Sequence, residues 1–368
     1  MTTPSLRSRI LLVDLLKAVA AQFIVLHHLA WYGPLSDQAV TLSPLFASID
    51  SWLAEYGRYA VAVFFVTGGF LAAQTLSSRG LNPANAPGCL IRDRYLRLVL
   101  PFAVAMLLAI AASTLARQWM THDSIGSPPG FLQLLAHLML LHGLLGIESL
   151  SAGIWYVAID FQLYALLVLL LWLGGCRPAS AEFSRAIPVL LLALTSLFYF
   201  NRDARWDATG LYFFGAYALG IGSGWAIRSS RRKQLLWLIA IAGGAALLID
   251  FRPRIAIAVA TALALGCTRL HMTRFEMKPL HYFGGTSYAL FLVHFPVCLL
   301  INAGLQHFAP ADPVLSAWGL LVAWLASNLV ADLFHRYVEL PLARWQKRRM
   351  QCRARQQAPT LKTPFKSA

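Results

Sequence analysis

The chain has 368 residues, of which 58% are hydrophobic and only 13% charged, about half the ~25% charged share of an ordinary soluble domain. So few charges cannot cover the surface of a soluble fold of this size, and the mean hydropathy of +0.59 agrees; a soluble enzyme, a secreted disulfide scaffold and a disordered chain are excluded. The net charge of +15 gathers in short loops between apolar runs, which is the positive-inside pattern of a membrane protein rather than the footprint of a nucleic-acid binder.

Arg7 and Arg9 precede an apolar run, and Ala18-Val19-Ala20 imitates a signal-peptide cleavage site. Asp14 and Lys17 interrupt that run and its apolar character continues to Trp31, so a retained first span is expected. Further apolar runs follow at about 57–77, 98–117, 155–174, 187–200, 209–227, 235–250, 254–270, 284–304 and 315–336, giving an all-α polytopic bundle of about ten transmembrane helices. An eleventh run, 131–147, contains His137 and His142. If it does not cross, both termini are cytoplasmic and 24 Lys/Arg face inside against 6 outside. If it crosses, Arg228, Arg231, Arg232 and Lys233 move outside, against the charge rule. The segment is therefore expected to lie at the outer surface or to re-enter. The reading is a multi-pass protein of the inner (cytoplasmic) membrane, with a membrane domain over 1–345 and a basic, disordered cytoplasmic tail over 346–368. Cys89, Cys176, Cys267, Cys298 and Cys352 show no C-x-x-C spacing, so neither a disulfide nor a metal site is expected.

Ionisable groups inside a bilayer cost ~3 kcal/mol or more and are functional candidates by default. The first span carries Asp14, Lys17, His27 and His28. Lys17 and His28 are eleven residues apart, ~16 Å of rise and almost three turns, so they share a face. Asp14 falls on that stripe too, and a buried Asp14–Lys17 pair with His28 near the outer interface is the plain structural alternative. In the second span, Gly68-Gly69 reads as a helix-packing site. Arg94 and Arg97 share a helix face just before the third span, either as topology anchors or as a phosphate clamp. Asp160 and Tyr164 lie in the fourth span at i,i+4, Ser287, Tyr288 and His294 in the ninth, and Asp332, His335 and Glu339 follow one face of the last, which Pro341 is expected to end.

These motifs, in this order, resemble the membrane-bound acyltransferase-3 family, which O-acylates sugars and related acceptors. Its first-span pattern of arginine, ten residues and histidine is similar to Lys17–His28; its Arg-x-x-Arg to Arg94 and Arg97. Its Trp-x-x-x-x-Glu-x-Gln-x-Tyr run is similar to Trp155, Asp160, Gln162 and Tyr164, and its Ser-Tyr-x-x-Tyr/Phe-x-x-His to Ser287, Tyr288, Phe291 and His294. Its closing Glu-x-Pro matches Glu339 and Pro341. The resemblance covers about residues 10–345. Two departures stand out: Lys17 in place of arginine and Asp160 in place of glutamate. Some family members carry an added esterase-like domain, and none is read in this chain.

The resemblance implies an acyl-CoA donor, commonly acetyl-CoA, used as a substrate rather than a bound cofactor. It also implies a glycan or lipid-linked saccharide hydroxyl as acceptor at the outer face. Acyl transfer to a hydroxyl needs a base and a polarised thioester carbonyl. His28 is the candidate base, Lys17 and Asp14 its support, and Arg94 and Arg97 the holders of the CoA phosphates. A transporter or flippase for a polysaccharide intermediate is the rival reading, since intramembrane charges serve transport equally well. The absence of a visible internal repeat argues against it.

Overall fold

The structure is a computed structural model that describes residues 4–78, 87–175, 182–268, 274–309 and 312–357. Every described regular element is helical, as a bilayer demands of backbone that has no water to bond. In chain order these are α1 (Pro4–Trp31), α2 (Pro34–Ala39), α3 (Pro44–Tyr56), α4 (Val61–Ser78), α5 (Pro87–Trp119), α6 (Phe131–Leu138), α7 (Trp155–Gly175), α8 (Glu182–Phe198), α9 (Gly210–Ala226), α10 (Arg232–Ile249), α11 (Pro253–Cys267), α12 (Arg274–Phe308), α13 (Pro313–Phe334) and α14 (Leu340–Gln357). Proline opens α2, α3, α11 and α13, where its missing N–H costs nothing. Ser43 and Asp312 cap α3 and α13 through their side chains.

Seven stretches are long and apolar enough to cross a membrane, among them Leu11–Trp31, Pro87–Trp119, Trp155–Gly175 and Lys278–Phe308; α8 and α11 are apolar but shorter. The chain is thus a polytopic helical membrane protein. Nine of the ten expected apolar runs fall on these stretches; the tenth, 209–227, falls on α9, 17 residues long, which is not among them. The segment 131–147 is a short helix and a turn. At eight residues, α6 rises ~12 Å and falls well short of a ~30 Å bilayer core. The Gln133 side chain donates to the Glu148 carbonyl, closing the excursion, while the Tyr95 hydroxyl donates to the Leu138 carbonyl at its tip. His137, Leu140 and His142 are buried there, and Leu140 takes a φ of 57° to make the reversal.

Two groups of helices pack together. In one, α12 contacts α1, α5 and α13; in the other, α9 contacts α4, α8 and α11. Gly69 of α4 faces the Tyr217 carbonyl of α9, and Gly220 of α9 faces the Val66 carbonyl of α4, each too close for any Cβ. This is the small-residue contact anticipated at Gly68-Gly69, and glycine is what allows it.

One expectation about the C-terminal end needs correction. Pro341 does not end the last helix. A π turn at His335–Glu339 carries the helix on into α14 without a break, so Pro341 sits inside a continuous helical run just past the wider turn. Residues 346–357 continue α14 as helix. Gln346 is buried and donates to the Asp93 carbonyl of α5 at 2.6 Å, pinning the first turns of α14 to the bundle. Residues 358–368 lie outside the described residues, as do Cys176 and the side chain of Cys352; Cys89, Cys267 and Cys298 are free thiols.

Candidate active site

Lys17 and His28 open onto different cavities. The first, of about 400 Å³, is lined by Lys17, Arg94, Arg97, Asp160, Ser287, Tyr288, His335 and Glu339, with Thr67 and Gly68 opposite. These come from α1, α4, α5, α7, α12 and the π turn, so six segments far apart in sequence converge. The second, of about 420 Å³, is lined by His27, His28, Tyr32, Arg58, Asp123, Glu148, Ser151 and Trp155. Phe291 lines both. Its ring meets Tyr156 at 4.8 Å and Phe64 at 5.9 Å between centroids, and this aromatic trio separates the two spaces.

The charged cavity is held by cross-helix pairs. Arg94 Nη2 lies 2.5 Å from Asp160 Oδ2, and the guanidinium sits over the Tyr164 ring at 5.2 Å, a cation–π contact. Gly68 borders this pair without being required by it, since a Cβ there would lie in ordinary contact, 3.7 Å from Oδ1 and 3.4 Å from Tyr217. Arg97, one turn on, makes no hydrogen bond or ion pair among the described residues and is exposed to the cavity. The Ser287 hydroxyl donates to the Gly284 carbonyl at 2.8 Å, and the Tyr288 hydroxyl to the Leu98 carbonyl at 3.2 Å. Glu339 Oε2 pairs with His335 Nδ1 at 2.8 Å across the π turn; such turns widen a helix where a site needs it. Asp332 pairs instead with Arg336 at 2.8 Å.

Asp14 is placed apart from this cavity. Its carboxylate bonds His281 Nδ1 at 2.6 Å, and Lys17 Nζ donates to the Gly284 carbonyl at 3.1 Å. The i,i+3 spacing puts Asp14 and Lys17 on one stripe, but α12 intervenes. A Cβ on Gly284 would lie 2.6 Å from Asp14 Cβ, so glycine brings α12 against α1 and delivers His281 to the carboxylate. Nothing in the sequence marks His281 as that partner, 267 residues away.

At the other cavity, His28 and His294 meet. His28 Nδ1 lies 2.6 Å from His294 Nε2, and His294 Nδ1 lies 2.9 Å from the Leu290 carbonyl. The ring planes are parallel within 4°, with centroids 4.9 Å apart. That separation with so short an N···N contact sets the rings edge to edge in one plane. Both residues are buried. His27 is turned away, its Nδ1 donating to the Leu53 carbonyl at 3.1 Å. Gln162 serves the scaffold: its Oε1 accepts the Gly210 N–H at 2.7 Å and caps α9. Tyr156 was not singled out from the sequence; beside Trp155 it reads as one of an interfacial aromatic pair, yet it forms part of the partition.

A helical membrane bundle with cations, carboxylates and hydroxyls gathered in one cavity and a histidine pair at another has the equipment of an intramembrane enzyme. The chain belongs to the acyltransferase-3 family: the family model, described as an acyltransferase domain, matches residues 10–333. The match takes in Lys17, His28, Arg94, Arg97, Asp160 and His294, and stops short of Glu339. Searches of the curated proteins and of the solved structures returned no match.

Proposed function

We propose that this acyltransferase moves an acyl group, acetyl in the simplest case, from cytoplasmic acyl-CoA to a hydroxyl of a cell-surface or exported glycan. The carrying observation is the pair of cavities at the two depths of α1, one lined by cations and one by histidine, with only Phe291 common to both. In this reading the charged cavity faces the cytoplasm of an inner-membrane protein with both termini inside. There Arg97, which has no protein counter-ion among the described residues, takes a CoA phosphate. Arg94, already engaged by Asp160, shapes the floor. The glycan enters the second cavity, where Trp155 and Tyr32 offer aromatic faces and Asp123, Glu148 and Ser151 offer hydrogen-bonding groups.

The chemistry follows from the hydroxyl. His28 takes the acceptor's O–H proton as its oxygen attacks the thioester carbonyl carbon. The C–S bond then breaks, and the leaving thiolate recovers the proton from the imidazolium, giving ester and free CoA thiol. Transfer therefore needs the acyl group to reach past Phe291 toward His28.

The test is acetyl transfer from labelled acetyl-CoA to a glycan panel, in membranes at matched protein level. His28→Ala should lower transfer by about 10²–10⁴-fold, the usual weight of a general base, while His27→Ala should leave it nearly unchanged. Activity in the His28 variant and loss in the His27 variant would place the chemistry on the wrong face of α1. Vectorial movement of unmodified saccharide without consumption of acetyl-CoA would favour a transporter instead. A reporter fused after Lys233 should read as cytoplasmic, and an external reading would reverse the assigned sides.

A further inference from the structure

The histidine pair contains a directional constraint. A backbone carbonyl only accepts hydrogen bonds, so the 2.9 Å contact between His294 Nδ1 and the Leu290 carbonyl requires the proton of a neutral His294 on Nδ1. Its Nε2 is then a lone pair. The 2.6 Å contact to His28 Nδ1 in turn requires a proton on that nitrogen. A neutral His28 so bound has its lone pair on Nε2, which has no hydrogen-bond partner among the described residues, and the residue lines the second cavity. Turning either ring over would set carbon against an acceptor and lose a bond. His294 is also held mechanically: a Cβ on Gly153 would meet His294 Cε1 at 3.3 Å and the Phe291 carbonyl at 2.8 Å. The turn before α7 thus leaves little room beside the ring edge between its two nitrogens. Tyr32 packs edge-on against His28 at 5.4 Å from the other side.

We propose that His294 is a positioning residue: it reads the Leu290 carbonyl and passes its direction to His28, fixing the tautomer whose Nε2 accepts the acceptor's proton. This rests on the reading of His28 as the base and adds which nitrogen acts and what selects it. His294 touches neither donor nor acceptor; it acts through His28 alone.

The experiment compares His294→Leu with His294→Gln in the purified full-length protein, alongside His28→Ala. Leucine removes the acceptor, so kcat should fall about 10–100-fold, part of a general base's usual weight, with KM for acetyl-CoA unchanged. Glutamine can offer Oε1 to the His28 Nδ1–H and should recover most of the rate. Full activity in His294→Leu, with His28→Ala inactive, would overturn the positioning role and leave the base in place. Equal loss in the leucine and glutamine variants would also overturn it, reducing His294 to packing. An active His28→Ala would instead remove the base assignment itself. Should the leucine variant fail to fold, ¹⁵N NMR of the histidine-labelled wild type decides. His28 Nδ1 should carry the proton and Nε2 the lone pair, and the opposite pattern sinks the proposal.

Discussion

The two cavities along α1 solve the same problem, polar groups at membrane depth, in opposite ways. In the charged one, Arg94 meets Asp160 and Lys17 meets the Gly284 carbonyl, each from another helix, while His335 bonds Glu339 within its own turn. In the other, two imidazoles form a one-way chain that ends on a backbone carbonyl, with no carboxylate in the chain. A balanced set of charges with one cation left over is suited to holding an anion in place. A neutral chain with one free lone pair is suited to taking and returning a proton. In the proposed reading, binding falls at one end and chemistry at the other, with Phe291 lining both spaces.

The sharpest way to break that division is at Phe291. It is almost fully buried and packs against Tyr156 and Phe64. Phe291→Trp should wedge the partition and cut transfer by about 100-fold, the scale on which a misplacement of ~1 Å acts, with acetyl-CoA binding retained. Phe291→Ala should thin the partition and raise hydrolysis of acetyl-CoA without acceptor. Equilibrium binding and turnover measured separately check both. If the tryptophan variant transfers normally, the cavities do not communicate through this point.

Next in size is Asp160→Asn. Breaking a buried ion pair by removing one partner typically costs ~3–5 kcal/mol. Arg94 borders a cavity, with its side chain 24% exposed, so solvent screening should bring the cost below that range, to about 2–3 kcal/mol. The readout is the melting temperature in detergent. An unchanged value would mean that Asp160 contributes little as Arg94's counter-ion.

How far the sequence anticipates these features depends on their range. The apolar runs and the Lys17–His28 stripe lie within single helices, so hydropathy and a 3.6-residue period reveal them. The candidates Arg94, Arg97, Asp160, Tyr164, Ser287, Tyr288, His294 and Glu339 stand out as polar groups in apolar runs, yet which of them meet does not. The His28–His294 bond joins residues 266 apart, and the Asp14–His281 bond joins residues 267 apart. Both depend on how α12 lies against α1, which a glycine at 284 decides. The helical start of the C-terminal segment was equally hidden, since one bond from Gln346 to the Asp93 carbonyl pins residues whose composition reads as tail.

A smaller effect separates the two arginines of the charged end. Arg97→Gln removes a cation without a partner among the described residues, so the fold should tolerate it. KM for acetyl-CoA should rise roughly tenfold, the value of one charge-assisted hydrogen bond, and kcat should hold. Dephospho-CoA thioesters, which lack one phosphate, should lose part of that discrimination if the lost contact is to that group. An unchanged donor KM would return Arg97 to a topology anchor.

The smallest expected effect is at Lys17, where the chain departs from its family's arginine. Were Asp14 the partner of Lys17, Lys17→Ala would strand a carboxylate in the membrane and destabilise the protein. Asp14 bonds His281 instead, and Lys17 donates to a carbonyl that Ser287 also engages. Removing the ammonium therefore leaves no charge unpaired, and the melting temperature of Lys17→Ala should stay close to wild type while transfer falls. Lys17→Arg keeps the cation in the charged cavity. The Gly284 carbonyl remains within reach of a guanidinium, whose several donors can also approach Glu339 across the same space. Its turnover should stay within about fivefold, the factor that corresponds to the ~1 kcal/mol one ordinary hydrogen bond contributes. Melting curves for the Ala variant beside transfer rates for the Arg variant test both halves. A large loss of stability in Lys17→Ala would show that the charge couples to Asp14 after all, and that the end of α1 assigned to binding is also what holds α1 and α12 together.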